Sequence, residues 1–220
     1  MPLYRTYKKK DLIVGVWKVD ETVEQLCAMF HQFSIYEADF QRFTSDKRKL
    51  EWLAVRVLLK TLCGEEKEIA YHSSGKPYLV DGSAYISFSH TNGYVAVALH
   101  PSVAVGVDIE QYGNRVQRVA SRFVRDDEWP SIVAGDEIYA LLLHWSAKET
   151  MFKLMDDVAV DFIKHLQIFP FEPKETGTFN ACEYRSEKKQ KFQIHYDTHT
   201  DYVLTFACSE LIGDNAIRFS

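Results

Sequence analysis

Asp108 and Glu110 stand two residues apart at the end of Val103-Ala104-Val105-Gly106-Val107-Asp108-Ile109-Glu110, a run that reads as a β-strand. Period-two geometry puts both carboxylates on one face. Such a pair either sits at a solvated strand edge or shares a cation, and a hard divalent ion such as Mg2+ suits oxygen ligands. Further on, Glu149 falls among Ile138, Leu141, Leu142, Trp145 and Phe152 when the segment is wound as a helix. A carboxylate on a core-facing stripe must be paired, protonated or bound to metal. Lys153 lies one turn beyond it, so a plain i,i+4 ion pair is the competing reading. A third group is cationic and hydroxylic. Ser74-Gly75-Lys76-Pro77 is a turn that presents a lysine, and Ser87-Phe88-Ser89-His90 ends a strand with a hydroxyl and an imidazole. Each is an ordinary turn or strand end by itself; with Arg48 and Arg56 they form a set of phosphate-binding groups.

The elements that must position these groups follow from pattern. Ser45 to Leu62 reads as a helix, with Leu50, Leu53, Ala54, Val57 and Leu58 as its apolar stripe, capped by Ser45 or Asp46. Ile86 to Ser89, Tyr94 to Leu99 and Val103 to Glu110 read as three strands, the first two joined by a turn at Thr91-Asn92-Gly93, and suggest an antiparallel meander. A second strong helix runs from an Asp136 cap to Leu154. Gln190 to Ile194 and Tyr202 to Cys208 read as strands with a polar turn between them. This order fits two α/β halves meeting near residue 100.

Composition narrows the class. The chain has 220 residues, 46% hydrophobic and 26% charged, as expected of a globular protein. Its net charge of −5 argues against a general nucleic-acid binder. No apolar run is long enough for a membrane span, and the start lacks the apolar core of a signal peptide. Cys27, Cys63, Cys182 and Cys208 are scattered without a CxxC pair, which reads as reduced thiols in a cytoplasmic protein.

Gly106-Val107-Asp108-Ile109-Glu110, followed by Trp145-Ser146-Ala147-Lys148-Glu149-Thr150-Met151-Phe152-Lys153, resembles the paired signature of the 4′-phosphopantetheinyl transferase superfamily. The order and separation of the halves agree with that signature. The Ser-Gly-Lys-Pro turn, the Ile-Ser-Phe-Ser-His strand and the basic helix Lys47 to Arg56 are similar to the double-length, surfactin-synthetase-activating class. The resemblance covers about residues 45 to 155 by motif.

That resemblance implies an α+β fold of two pseudo-symmetric halves, 1–100 binding coenzyme A and 101–220 carrying the metal and catalytic motifs. Each half has a mainly antiparallel sheet packed on helices, with the active site at their interface. It implies transfer of 4′-phosphopantetheine from coenzyme A to a serine of an acyl or peptidyl carrier protein, by a monomer with no nucleic-acid or membrane partner. Asp108, Glu110 and Glu149 would be the metal ligands, for Mg2+ with Mn2+ as the alternative. Glu149 and Lys153 would be catalytic; Arg48, Arg56, Lys76, Ser89, His90 and Lys153 would hold coenzyme A. Glu128 sits where relatives carry another acid and is left outside this set. The region of Arg115, Arg118, Arg122 and Arg125 is either a docking face for an acidic carrier or a solvated helix face. Two rival readings are a non-catalytic relative that holds coenzyme A or carrier protein, and a metal-dependent phosphohydrolase.

Overall fold

The computed structural model describes residues 3–133, 136–155, 159–210 and 218–219. Its first part runs β1 (Leu3–Lys9), β2 (Leu12–Lys18), α1 (Val23–Cys27), a 3-10 turn at Phe33–Ile35, α2 (Glu37–Phe40), α3 (Asp46–Cys63), β3 (Ile69–Tyr71), β4 (Pro77–Leu79), β5 (Tyr85–Thr91) and β6 (Tyr94–His100). The second runs β7 (Val105–Gln111), a 3-10 segment Asn114–Arg122, α4 (Trp129–Ile132), α5 (Glu137–Leu154), α6 (Phe162–His165), β8 (Leu166–Ile168), β9 (Thr176–Glu183), β10 (Lys191–Thr198), β11 (Tyr202–Cys208) and β12 (Arg218–Phe219).

Two antiparallel sheets result, ordered β12-β1-β2-β6-β5 and β7-β11-β10-β9-β8, with β3 and β4 as a separate ribbon. The sheets face each other across Val14, Val16, Ala96, Val107, Ile109, Leu204 and Phe206. Helix α3 covers the outer side of the first sheet through Leu53, Val57 and Leu58 against Val95 and Val97. Helix α5 covers the second through Leu141, Leu143 and Met151 against Ile194 and Val203. Burying each such leucine contributes about 1.5–3 kcal/mol, so the two helices are fixed mainly by packing.

Both long helices start where the sequence places caps. The Ser45 hydroxyl accepts from Arg48 N, and Asp136 accepts from Ile138 N and Tyr139 N. Glycine sets how closely each helix meets its strand. A Cβ on Gly106 of β7 would lie 2.5 Å from the Thr150 carbonyl oxygen of α5. A Cβ on Gly15 of β2 would lie 2.9 Å from Leu58 and 3.0 Å from Leu62 of α3.

The expected meander is not formed. β5 and β6 make a hairpin, but β7 leaves it and pairs with β11 in the second sheet. The reason lies on β6, whose second edge is taken by β2, so the hairpin's last strand has no edge left for β7, and hydroxyls of β5 meet β7 instead. Ser87 Oγ accepts from Val107 N at 3.1 Å and Thr91 Oγ1 from Gln111 N at 3.0 Å. Side chains thus join the two sheets at this seam, where a backbone ladder would otherwise run.

The stripe of α5 that reads as core-facing is also revised. Ala140 to His144, Ser146 to Lys148, Thr150 and Met151 are buried, so α5 is enclosed on most sides. Trp145, Glu149, Phe152 and Lys153 are its half-buried stripe. The second sheet packs on one side of α5, while the Asn114–Arg122 segment and α4 pack on the others, leaving this stripe beside the seam.

Candidate functional site

The seam between β5 and β7 brings Asp108, Ser89 and Lys153 together. Gly106 lets β7 lie close against α5, which sets Asp108 beside the half-buried stripe. Asp108 is 4% exposed. Its Oδ1 accepts from Lys153 Nζ at 2.9 Å and from the Ser89 hydroxyl at 2.9 Å. Lys153 Nζ also donates to the Val107 carbonyl oxygen at 2.9 Å. Glu110 Oε1 accepts from the Trp145 indole N–H at 2.7 Å.

Electrostatics mark the cluster as crowded with negative charge. Burial, then the Asp108 charge, pushes Glu110 up to about 7, while the Trp145 hydrogen bond works against the rise. Glu149 is raised by burial and by Asp108, with Lys153 opposing. Among the described residues no three carboxylates, imidazoles or thiols stand ready as a metal cage. Lys153, the partner of Glu149 in the i,i+4 reading, bonds Asp108 across to β7.

These residues nevertheless suit a hard cation. Asp108 Oδ2 is buried with no hydrogen-bond partner. A buried carboxylate oxygen left bare is costly, and a divalent ion beside it relieves both that cost and the repulsion among Asp108, Glu110 and Glu149.

The basic residues line three hollows. Lys76 and Lys153 line the same cleft of about 760 Å³, together with His72, Tyr78 and Phe152. They also share a smaller hollow with Tyr71, Ser87 and Phe88. Arg48, Arg56 and His90 line a third, of about 170 Å³, with Trp52 and Tyr71. There Arg48 Nη1 donates to Glu51 Oε2 at 3.1 Å and lies 3.3 Å from His90 Nε2. Burial lowers the pKa of His90. Arg56 is 5% exposed and stacks on Trp52 at 3.4 Å. Its Nε has no partner, it forms no ion pair with a carboxylate among the described residues, and burial lowers its pKa. A buried guanidinium without a counter-anion favours an anionic ligand.

The structure brings Asp108, Ser89 and Lys153 into direct contact and sets Lys76 in the cleft that Lys153 lines. Arg48, Arg56 and His90 are grouped apart from them. Glu128 is fully enclosed: its carboxylate accepts from Lys148 Nζ at 2.8 Å, from Arg125 N at 2.9 Å and from Ile168 N at 2.7 Å. It braces the fold and does not face the cluster. Arg125 is engaged with Asp127 and the Ile163 carbonyl, whereas Arg115, Arg118 and Arg122 are exposed. Sequence reasoning missed the hydrogen bond from Trp145 and the bracing by Lys148; their only signal was membership of the Trp145-to-Lys153 motif.

At the seam joined by hydroxyls, Asp108 meets Lys153, and Lys153 lines a cleft together with Lys76. Residues 104–207 match the model of the 4′-phosphopantetheinyl transferase superfamily. The match begins just before β7 and ends within β11, so it takes in Asp108, Glu110, Glu149 and Lys153. A domain of this superfamily implies phosphopantetheine transfer in general, with coenzyme A and a carrier protein as partners. No curated protein matches the chain. Among the described residues no helix is long and apolar enough to cross a membrane.

Proposed function

We propose that this chain transfers the 4′-phosphopantetheine arm of coenzyme A to a serine of an acyl or peptidyl carrier protein, as a member of the double-length class. The observation that carries this is the contact of Lys153 with Asp108 at the cleft that Lys76 also lines. The two-half reading is supported by strand order. β2-β6-β5 in the first sheet and β7-β11-β10 in the second each follow the plan strand, long helix, hairpin, with the last strand in the middle.

In this reading the serine oxygen bonds to the β-phosphorus of coenzyme A. The bond from that phosphorus to the bridging oxygen breaks, and its electron pair departs on adenosine 3′,5′-bisphosphate. Mg2+ or Mn2+ held by Asp108, Glu110 and Glu149 would neutralise charge on the phosphoryl oxygens. Lys153 neutralises or protonates the departing bisphosphate. Glu149, raised by burial, is the candidate base for the serine proton. Arg48, Arg56 and His90, with Lys76 and Ser89, grip the phosphates; buried Arg56 without a carboxylate partner favours this role. One chain supplies every group named, so a monomer suffices.

Mass spectrometry of an intact apo carrier protein incubated with the chain, coenzyme A and Mg2+ tests the reading, beside an EDTA control. A metal-dependent gain of one phosphopantetheine is expected. No gain across fatty-acid, polyketide and peptide-synthetase carriers would overturn transfer in favour of a binding relative. Loss of coenzyme A without a carrier would instead identify a phosphohydrolase.

A further inference from the structure

The transfer reading leaves Trp145 and Lys148 of the helix α5 motif without a task, although each makes specific contacts. The Trp145 indole donates to Glu110 Oε1 at 2.7 Å. Two phenylalanines hold its ring: Phe123 meets it edge-on at 5.2 Å between ring centres, and Phe162 lies tilted at 5.6 Å. The Lys148 ammonium, fully buried, donates to the backbone carbonyls of these same two residues, at 2.6 Å to Phe123 O and 3.2 Å to Phe162 O. Glu128 neutralises it at 2.8 Å. One ammonium therefore ties together the end of the Asn114–Arg122 segment, the start of α6 and α5.

A carboxylate that is to meet a cation needs one oxygen tethered, so that the other is aimed. Asp108 shows the same arrangement: Oδ1 is held by Ser89 and Lys153, and Oδ2 is bare. Among the described residues the one side-chain tether on Glu110 is the indole, whose N–H donates and cannot accept. Its direction is set by the phenylalanine cradle, and the cradle by Lys148.

We propose that Trp145 is a positioning residue that aims the Glu110 carboxylate at a divalent cation, with Lys148 bracing the Phe123–Phe162 cradle that fixes the indole. This rests on the assignment of Asp108, Glu110 and Glu149 as the metal-binding set. Groups that orient metal ligands from behind typically change affinity 10–100-fold when removed.

The test is Mn2+ binding to the full chain, followed by electron paramagnetic resonance of the free ion, without coenzyme A or carrier. Trp145→Phe keeps an aromatic ring in the cradle and removes the donor. It is expected to weaken Mn2+ about tenfold while the thermal midpoint stays within a few degrees of wild type. In a Glu110→Gln background the same substitution is expected to change Mn2+ affinity little, because the group it aims is gone. A purely structural Trp145 would give additive losses, and additivity overturns the proposal. So does unchanged Mn2+ affinity in Trp145→Phe. Should Trp145→Phe fail to fold, Phe162→Leu, which loosens the cradle and keeps the indole, is expected to weaken Mn2+ several-fold; unchanged affinity there overturns the proposal. Wild-type chain that transfers phosphopantetheine with Mg2+ but binds no Mn2+ alone overturns the proposal and leaves the transfer reading standing.

Discussion

Lys153 and Asp108 are joined across two elements: the ammonium at the end of α5 sits 2.9 Å from Oδ1 on β7. The pair places a fixed positive charge against the acidic cluster. Replacing Asp108 by Ala removes the most buried carboxylate of the set. It is expected to lower transfer by about three orders of magnitude, the scale of a lost metal-phosphoryl interaction of several kcal/mol. Far-ultraviolet circular dichroism should remain that of the wild type. A fully active variant would refute the metal assignment.

Lys153→Ala is expected to act mainly on turnover. A cation aimed at charge that develops during reaction contributes more to the transition state than to ground-state binding. We expect kcat to fall about 100-fold with KM for coenzyme A changed by less than a factor of a few. Steady-state kinetics with coenzyme A varied checks this; a large KM effect at unchanged kcat moves Lys153 to a binding role.

The buried pair Lys148–Glu128 is a point of vulnerability for the fold. Lys148→Met leaves a fully enclosed carboxylate without its cation and strips donors from two carbonyls. The expected cost is about 3–5 kcal/mol, read by urea unfolding. Lys148→Met with Glu128→Leu removes both charges and should recover part of that loss.

Two histidines make stability pH-dependent. Burial, opposed by the Ala140 hydrogen bond, takes His144 down to about 4; burial and the Lys9 charge take His195 down to about 4. Both lie below the ordinary value near 6.5, so the unfolded chain binds more protons between these limits. Stability from keeping each ring neutral is complete above about pH 6.5 and is lost as pH falls towards 4, at most about 3 kcal/mol each. Glu110, raised to about 7, has the opposite sign: it favours the folded state at the acid end and loses that contribution as pH rises. Urea unfolding at pH 7.5, 6 and 5 should show a slope that flattens in His144→Leu/His195→Leu. An unchanged slope would remove the histidines as its cause.

Gly106→Ala would set a methyl 2.5 Å from the Thr150 carbonyl oxygen. Backbone opposes it, so β7 must move away from α5, at a cost of about 1–3 kcal/mol. Because the same approach brings Asp108 to Lys153, transfer should fall more than stability alone explains. Thermal melting and kcat/KM measured together check this.

Local patterns were the legible part of the fold. Ser45 and Asp136 announce the two long helices because a cap is a nearest-neighbour event, and Thr91-Asn92-Gly93 announces its hairpin for the same reason. The early strands β1 and β2 and the short β3, β4 and β8 went unread. The meander does not form because pairing is non-local: nothing near β7 states that β2, early in the chain, will take the free edge of β6 or that β11, far along the chain, will pair with β7. At the site, Asp108, Ser89, Lys76 and Lys153 were legible through motif chemistry. Trp145 was not, because an indole on an apolar pattern reads as core, and its donor becomes visible only beside Glu110. Lys148 carries no signal beyond its place in the motif until Glu128, Phe123 and Phe162 are seen around it.

The contact of a glycine-bearing strand with an 18-residue helix is made twice in this chain. Where β7 meets α5, the strand continues into Asp108 and the helix answers with Lys153. Where β2 meets α3, Gly15 is answered by Leu58 and Leu62, and the space is filled with hydrocarbon. There the strand continues into buried Trp17, which offers no carboxylate to an ion. Calorimetric titration should therefore reach its equivalence point at one cation and one coenzyme per polypeptide, the second strand–helix contact serving the fold alone.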